Sequence, residues 1–362
     1  MRLKNCFLVP LLSVVLLTLL FALLPFLMGL FFRDEPLLDD SELSLPALTI
    51  PEEENAYFDL KAILGEVSEE TDEEVLLHLS GEKWDAEFVE ETLVTYATGI
   101  EGFERAAGKA YFQDPDVSGP RTSDYILAIP DLLIMDWVRL SNLKALSLMK
   151  EGKEGEALEQ AFLSVKLGEK MAHSYGPLIS VLIGQTVQKI GLETFLSLAP
   201  QVEDAGLLKE YDEKLASYAP DRGVLAQAYN VEYLLMLPLY DAISDDPSEL
   251  DWFADNSMGD EELYLFKVLR KMGFSFYYHP NETKNLYYQT MKSYVEAVPD
   301  LTCESKQDFD GFAPDLGLQF YFTENAMGLM VFDALLPRLV GGERLCEAEA
   351  LFGEVQLKLR SQ

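Results

Sequence analysis

The sequence predicts an all-α protein: an irregular array of antiparallel helical hairpins in an extracytoplasmic domain, preceded by one N-terminal transmembrane helix. Two observations carry this. The chain opens with an uncharged apolar run from Cys6 to Phe32. After it, apolar residues recur at intervals of three and four over stretches of 10 to 20 residues, while period-two alternation is rare.

As one helix, the run Cys6–Phe32 extends roughly 40 Å, enough to cross a hydrocarbon core of about 30 Å with some tilt. Pro10 and Pro25 lie near its ends, where a lost backbone bond is most easily replaced. A cleaved secretory signal has a shorter apolar region and a small-residue cleavage site, and neither feature is found here. Arg2 and Lys4 precede the run and only Arg33 follows it closely, which predicts a cytoplasmic N-terminus, residues 1–5. Residues 6–32 are then the anchor in the cytoplasmic membrane, 33–54 a proline-containing juxtamembrane linker, and 55–362 an acidic, mostly helical domain outside the cytoplasm. In a cell with two membranes that domain is periplasmic.

The outer helices read in order. Residues 56–64 carry one buried face, and Thr71 with Glu74 has the spacing of a capping box, placing a short helix over 72–79. A longer pattern runs from Asp85 to Ala110, as one helix or as two parted near Gly99 and Gly102. Residues 130–172 form an antiparallel pair turning at Gly152 and Gly155, followed by helices over 177–198, 201–216 and 222–243, with Pro238 a kink or boundary. The stretch 244–260 is a loop and a possible point of division. Helices resume at 261–272, 282–297, 325–335 and 342–359. The pair at 130–172 resembles a tetratricopeptide hairpin in its Ala and Leu spacing and its Gly-containing turn, but no second copy follows at the repeat period.

Charge limits the partners. The formal net charge is −34, and all 62 acidic residues follow the apolar run. Such a surface repels phosphate backbones, so no nucleic-acid partner is expected. The expected partners are the lipid bilayer, through residues 6–32, and an envelope or membrane protein.

Motifs for chemistry are few. His78, His173 and His279 are widely spaced, and the sequence contains no HExxH, phosphate loop, dinucleotide turn, GxSxG elbow or CxxC. No cofactor is expected. Asp308, Asp310 and Asp315 are the candidate ligands for a divalent cation, on an incomplete calcium-loop pattern. Cys303 and Cys346 are the two cysteines beyond the run, and an oxidising location permits a disulfide between them. Tyr277, Tyr278, Tyr287, Tyr288, Phe320, Tyr321 and Phe322 concentrate aromatic area, as a ligand or partner surface or as core. Asn281-Glu282-Thr283 matches a glycosylation acceptor or a helix start. The function read from this pattern is that of a membrane-anchored interaction or scaffold module. Its alternatives are a carboxylate-dependent extracytoplasmic hydrolase and a small-molecule binding module.

Overall fold

The computed structural model describes residue 16 and residues 34–45, 49–63, 67–115, 134–245, 278–300 and 341–361. Among them the protein is all-helical, with one isolated backbone bridge between Asn55 and Tyr111 in place of any strand. None of these helices is long and apolar enough to cross a membrane, and apart from Leu16 the run Cys6–Phe32 lies outside the described residues.

The helices are α1 (Ala56–Ile63), α2 (Glu69–Leu79), α3 (Ala86–Thr95), α4 (Ala97–Gly108), α5 (Ile134–Lys150), α6 (Glu154–Ala172), α7 (Leu178–Leu198), α8 (Ala205–Leu215), α9 (Gly223–Asp245), α10 (Pro280–Ala297) and α11 (Gly341–Arg360). They fall into two units. One holds the described residues up to Ser44 and within Tyr233–Ser293, and the other those within Leu45–Glu232, Tyr294–Lys306 and Leu339–Gln362. The expected division at 244–260 lies mostly outside the described residues.

In the larger unit, Ser68 starts α2. It is extended and its hydroxyl accepts the Thr71 amide at 3.2 Å, so the helix begins ahead of the expected capping box. Asp85 caps α3 in the same way, accepting the amides of Glu87 and Phe88. The pattern from 85 to 110 is two helices, parted at Tyr96 rather than at a glycine. Gly99 and Gly102 instead lie within α4, where a Cβ would overlap the Trp137 ring and the Ile63 side chain respectively. The sequence supplies glycine there for close approach.

The tight turn between α5 and α6 is made at Gly152, whose φ of +77° favours glycine. Buried residues of α1 to α7 form one core, including Phe103, Trp137, Val138 and Leu143. A second core joins Phe162 of α6, Phe195 of α7, Tyr211 of α8 and Phe352 of α11. Between α5 and α6, Asn142 Nδ2 donates to the Ser164 hydroxyl and Gln160 Nε2 to the Ser141 hydroxyl, while Asn142 Oδ1 is buried without a bond. Cys346 on α11 is disulfide-bonded, while Cys303 lies outside the described residues.

Arg139 of α5 clamps both carboxylate oxygens of Asp72, at 2.7 and 2.6 Å, and lies 3.6 Å from Asp136. Burial pushes the Asp136 carboxyl above its ordinary value, Asp72 adds to this, and Arg139 opposes it. A carboxyl raised on folding binds its proton more tightly in the native state. Its contribution to stability is therefore present at acid pH and is lost as pH rises from the ordinary carboxylate value through the raised one. Asp136→Asn is accordingly expected to gain stability over wild type above that window and to lose the advantage below it, read from melting temperature against pH.

In the smaller unit, residues 34–44 are bonded along α10. The Asp34 carboxylate accepts the amides of Asn281 at 2.9 Å and Glu282 at 3.0 Å, capping α10 from outside the helix. Asn285 accepts from the Leu38 amide and donates to the Pro36 carbonyl, both at 2.9 Å. Further along, Asp40 accepts from the Tyr233 hydroxyl at 2.7 Å, and Glu42 takes both Tyr288 and Lys292. Residues that read as linker in the sequence thus form a strap. Pro238 lies inside α9 without ending it.

Candidate functional site

The larger unit contains a partly enclosed cleft of about 590 Å³. One wall is the segment Thr49–Pro51 with Glu54, and the adjacent wall is Ala110–Gln113; the floor is the C-terminal end of α6 and the residues after it, between Glu169 and Tyr175. Two local devices hold the walls together. The Tyr111 amide donates to the Glu54 carbonyl, and the Ala56 amide donates to the Tyr111 carbonyl. Asn55 then acts as a rivet. Its Oδ1 accepts the amides of Tyr57 and Gln113, and its Nδ2 donates to the Gln113 carbonyl at 2.7 Å.

Gln113 carries the tie to the floor, accepting the Tyr175 amide and donating to the Tyr175 carbonyl, both at 2.8 Å. Lys170 donates to the Ala107 carbonyl at 2.8 Å and to the Lys109 carbonyl. Burial pushes the Lys170 amine below its ordinary value, Lys166 adds to this, and Glu169 opposes it. The two carbonyls at the end of α4 favour its charged form. Lys170 is therefore a fixed donor that closes a helix end inside the cleft.

Comparison with known proteins returns no matching family model, curated protein or solved structure. The chemistry of the site rests on its own residues.

The cleft presents aromatic area from Tyr111 and Tyr175 and carboxylates from Glu54 and Glu169. Tyr111 is half exposed, whereas Phe112 is buried. His173 stands at the edge. Its Nδ1 lies 3.0 Å from the Glu169 carbonyl and 3.3 Å from the Glu169 carboxylate, and its Nε2 lies 3.5 Å from Asp221. An adjoining space of about 10 Å³, close to the size of one water, is lined by His173, Asp221 and Gln185. Gln185 is buried there with neither amide atom bonded.

The other histidines have local duties. His78 is buried, its Nδ1 2.7 Å from the Glu74 carbonyl and its Nε2 accepting the Asp85 amide, and it stacks on Phe88. His279 contacts Glu282 at 3.0 Å.

Asp308, Asp310 and Asp315 lie outside the described residues, as do Tyr277, Phe320, Tyr321 and Phe322. Among the described residues no group of three or more His, Cys, Asp or Glu side chains is placed to hold a metal ion. Tyr278, Tyr287 and Tyr288 are all buried. The Tyr278 hydroxyl donates to the Tyr240 carbonyl at 3.0 Å, and Tyr287 packs between Tyr233 and Tyr240 with ring centroids at 5.8 and 5.3 Å. These three build the interior of the smaller unit. The Asn281 side chain, the nitrogen a glycan would use, donates to the Glu35 carbonyl.

Sequence reasoning did not find the cleft. Its walls come from the stretch read as linker and from the end of the pattern over 85–110, and they are joined by backbone bonds of Tyr111 and by one asparagine bonded across 58 positions. Asn55 preceding a helical pattern was the available signal, since asparagine there reads as a cap.

Proposed function

We propose that this chain is a membrane-tethered protein-interaction module working outside the cytoplasm, and that its cleft takes a basic segment of an envelope or membrane protein. The observation that carries the reading is the cleft lining. Aromatic rings beside carboxylates suit a Lys or Arg side chain, which gains ion pairing and ring contact together. A chain with net charge −34 steers such a partner from a distance and disfavours acidic competitors. The helical-hairpin character of the outer part adds support, because rigid helix pairs present fixed grooves. Two features support the location: the charge bias around the apolar run, and the disulfide at Cys346, which persists in oxidising compartments. We pair Cys346 with Cys303.

The test is a photo-crosslinking residue at Tyr111 in the full membrane-attached chain, in cells. The expected result is one reproducible membrane or envelope protein, linked through a basic segment and lost on Glu54→Lys. Crosslinking that is unaffected by Glu54→Lys overturns the reading.

A hydrolase has one observation in its favour, His173 held between Glu169 and Asp221 at the cleft edge. Turnover of a cell-wall or small-molecule substrate that disappears in His173→Ala would establish it. The volume of the cleft also falls within the usual range for small ligands. A small amine that raises the melting temperature, in a chain that crosslinks to no protein, would point to ligand carriage.

A further inference from the structure

The strap leaves two leucines exposed. Leu37 is 57% and Leu38 43% exposed, side by side, although the Pro36 carbonyl and the Leu38 amide are both bonded to Asn285 of α10. They follow the apolar run by five and six residues, and Asp34 follows Phe32 by two. At about 3.5 Å per residue, Asp34 lies within roughly 7 Å of the end of the run. Asp34 is also the residue that caps α10.

We propose that Leu37 and Leu38 rest in the interfacial layer of the bilayer, and that the strap is a splint holding the N-terminal end of α10 at the membrane. This rests on the reading of Cys6–Phe32 as an anchor. A free spacer would leave its backbone to water, whereas here the Pro36 carbonyl and the Leu38 amide are bonded to Asn285 of α10, and the Asp34 carboxylate to the first amides of that helix. Lipid is the occupant favoured for the leucines because the chain that precedes them is itself the apolar run, which brings them to the surface without a separate association step.

Acidic residues beside the leucines would oppose this if they faced the headgroups. Most of them are engaged within the protein. Asp34 caps α10, Asp39 accepts the Ser41 amide, Asp40 accepts Tyr233, and Glu42 takes Tyr288 and Lys292. Hydrogen bonds from Ser41 hold the Asp39 carboxyl below its ordinary value, and those from Lys292 and Tyr288 do the same for Glu42. In Asp39 and Glu42 this favours the ionised form that accepts these bonds.

The experiment uses the full chain, Cys6→Ser, one copy per phosphatidylcholine nanodisc, without reductant. A fluorophore is placed at Leu37→Cys or at Gln289→Cys, an exposed position on α10. Nitroxide-headgroup lipid is the quencher. Quenching at both positions is expected, and Asp34→Ala with Asn285→Ala should abolish it at Gln289→Cys by unfastening the strap. Absence of quenching at Leu37→Cys, in a chain that resists alkaline extraction from vesicles, overturns the proposal and leaves the anchor standing. A chain that alkaline washing removes from vesicles removes the anchor as well. Quenching at Gln289→Cys that survives the double substitution shows that the strap is not the splint.

Discussion

Gly168→Ala is expected to lower the melting temperature of the larger unit, although alanine is the better helix former. On propensity alone the substitution should gain about 1 kcal/mol. Packing reverses the sign. Helix α6 presents Gly168 to α7, where an added Cβ would overlap the Gln188 backbone nitrogen and the Gly184 carbonyl oxygen. Gly184 faces back, with a Cβ 2.6 Å from the Ala172 nitrogen, and Gly191 repeats the contact at 2.9 Å from the Val165 nitrogen. The obstructing atoms are backbone and cannot rotate aside, so the two helices must separate along a shared core. Overpacking of this kind costs about 1 to 3 kcal/mol, and the net loss here is expected near the upper end. In a unit of this size that is a fall of roughly 5 to 10 °C. Gly353→Ala in α11 is the control, because it is exposed and its Cβ would meet nothing within 4 Å. It should gain about 0.5 to 1 kcal/mol. A rise in both variants would mean that α6 and α7 do not approach this closely.

These glycines show which parts of the fold the sequence discloses. Apolar periodicity is local, and it placed α5, α6, α7 and α8 to within a few residues at most ends. What a glycine is for is not local. Gly99 and Gly102 read as a break because glycine weakens a helix, yet they are the positions where Trp137 and Ile63 come against α4. The true break is Tyr96, whose conformation at φ −101° and ψ 13° has no compositional signature. Pro238 is a similar case, standing within α9 where the local rule predicts a boundary.

Caps divide in the same way. Ser68, Asp85 and Asp204 sit next to the helices they start and follow the local rule, even though Thr71, three residues after Ser68, carries the capping-box spacing. The cap of α10 is a carboxylate 247 positions away. No window along the chain contains it, and for that reason the strap looked like linker. The cleft was hidden by the same kind of long-range bond, through Asn55 and Gln113. Aromatic richness was visible but its role was not, since a tyrosine cluster reads alike whether it lines a surface or, as Tyr287 does, fills an interior.

Reducing the disulfide at Cys346 is expected to cost about 4 kcal/mol, the chain-entropy value for a closed loop of about 40 residues. That loop is the one that pairing with Cys303 would close. The fold of the last helix should survive reduction, because α11 has other attachments. Phe352, Val355 and Leu359 are buried in the second core, Arg222 grips both oxygens of Glu349 at 2.8 Å, and Arg360 reaches Asp212 at 2.8 Å. The expected signature of Cys346→Ser is therefore a lower melting temperature and faster proteolysis, with unchanged helical circular dichroism. Wild type in reductant should match the variant. The peptide map carries a second consequence. A linked Cys303–Cys346 peptide from non-reduced protein agrees with an outer domain in an oxidising space. A linked Cys6–Cys346 peptide would join that domain to a residue within the apolar run. A run so joined could not lie across the bilayer with Cys346 in the outer domain, and the anchor reading would fall with it.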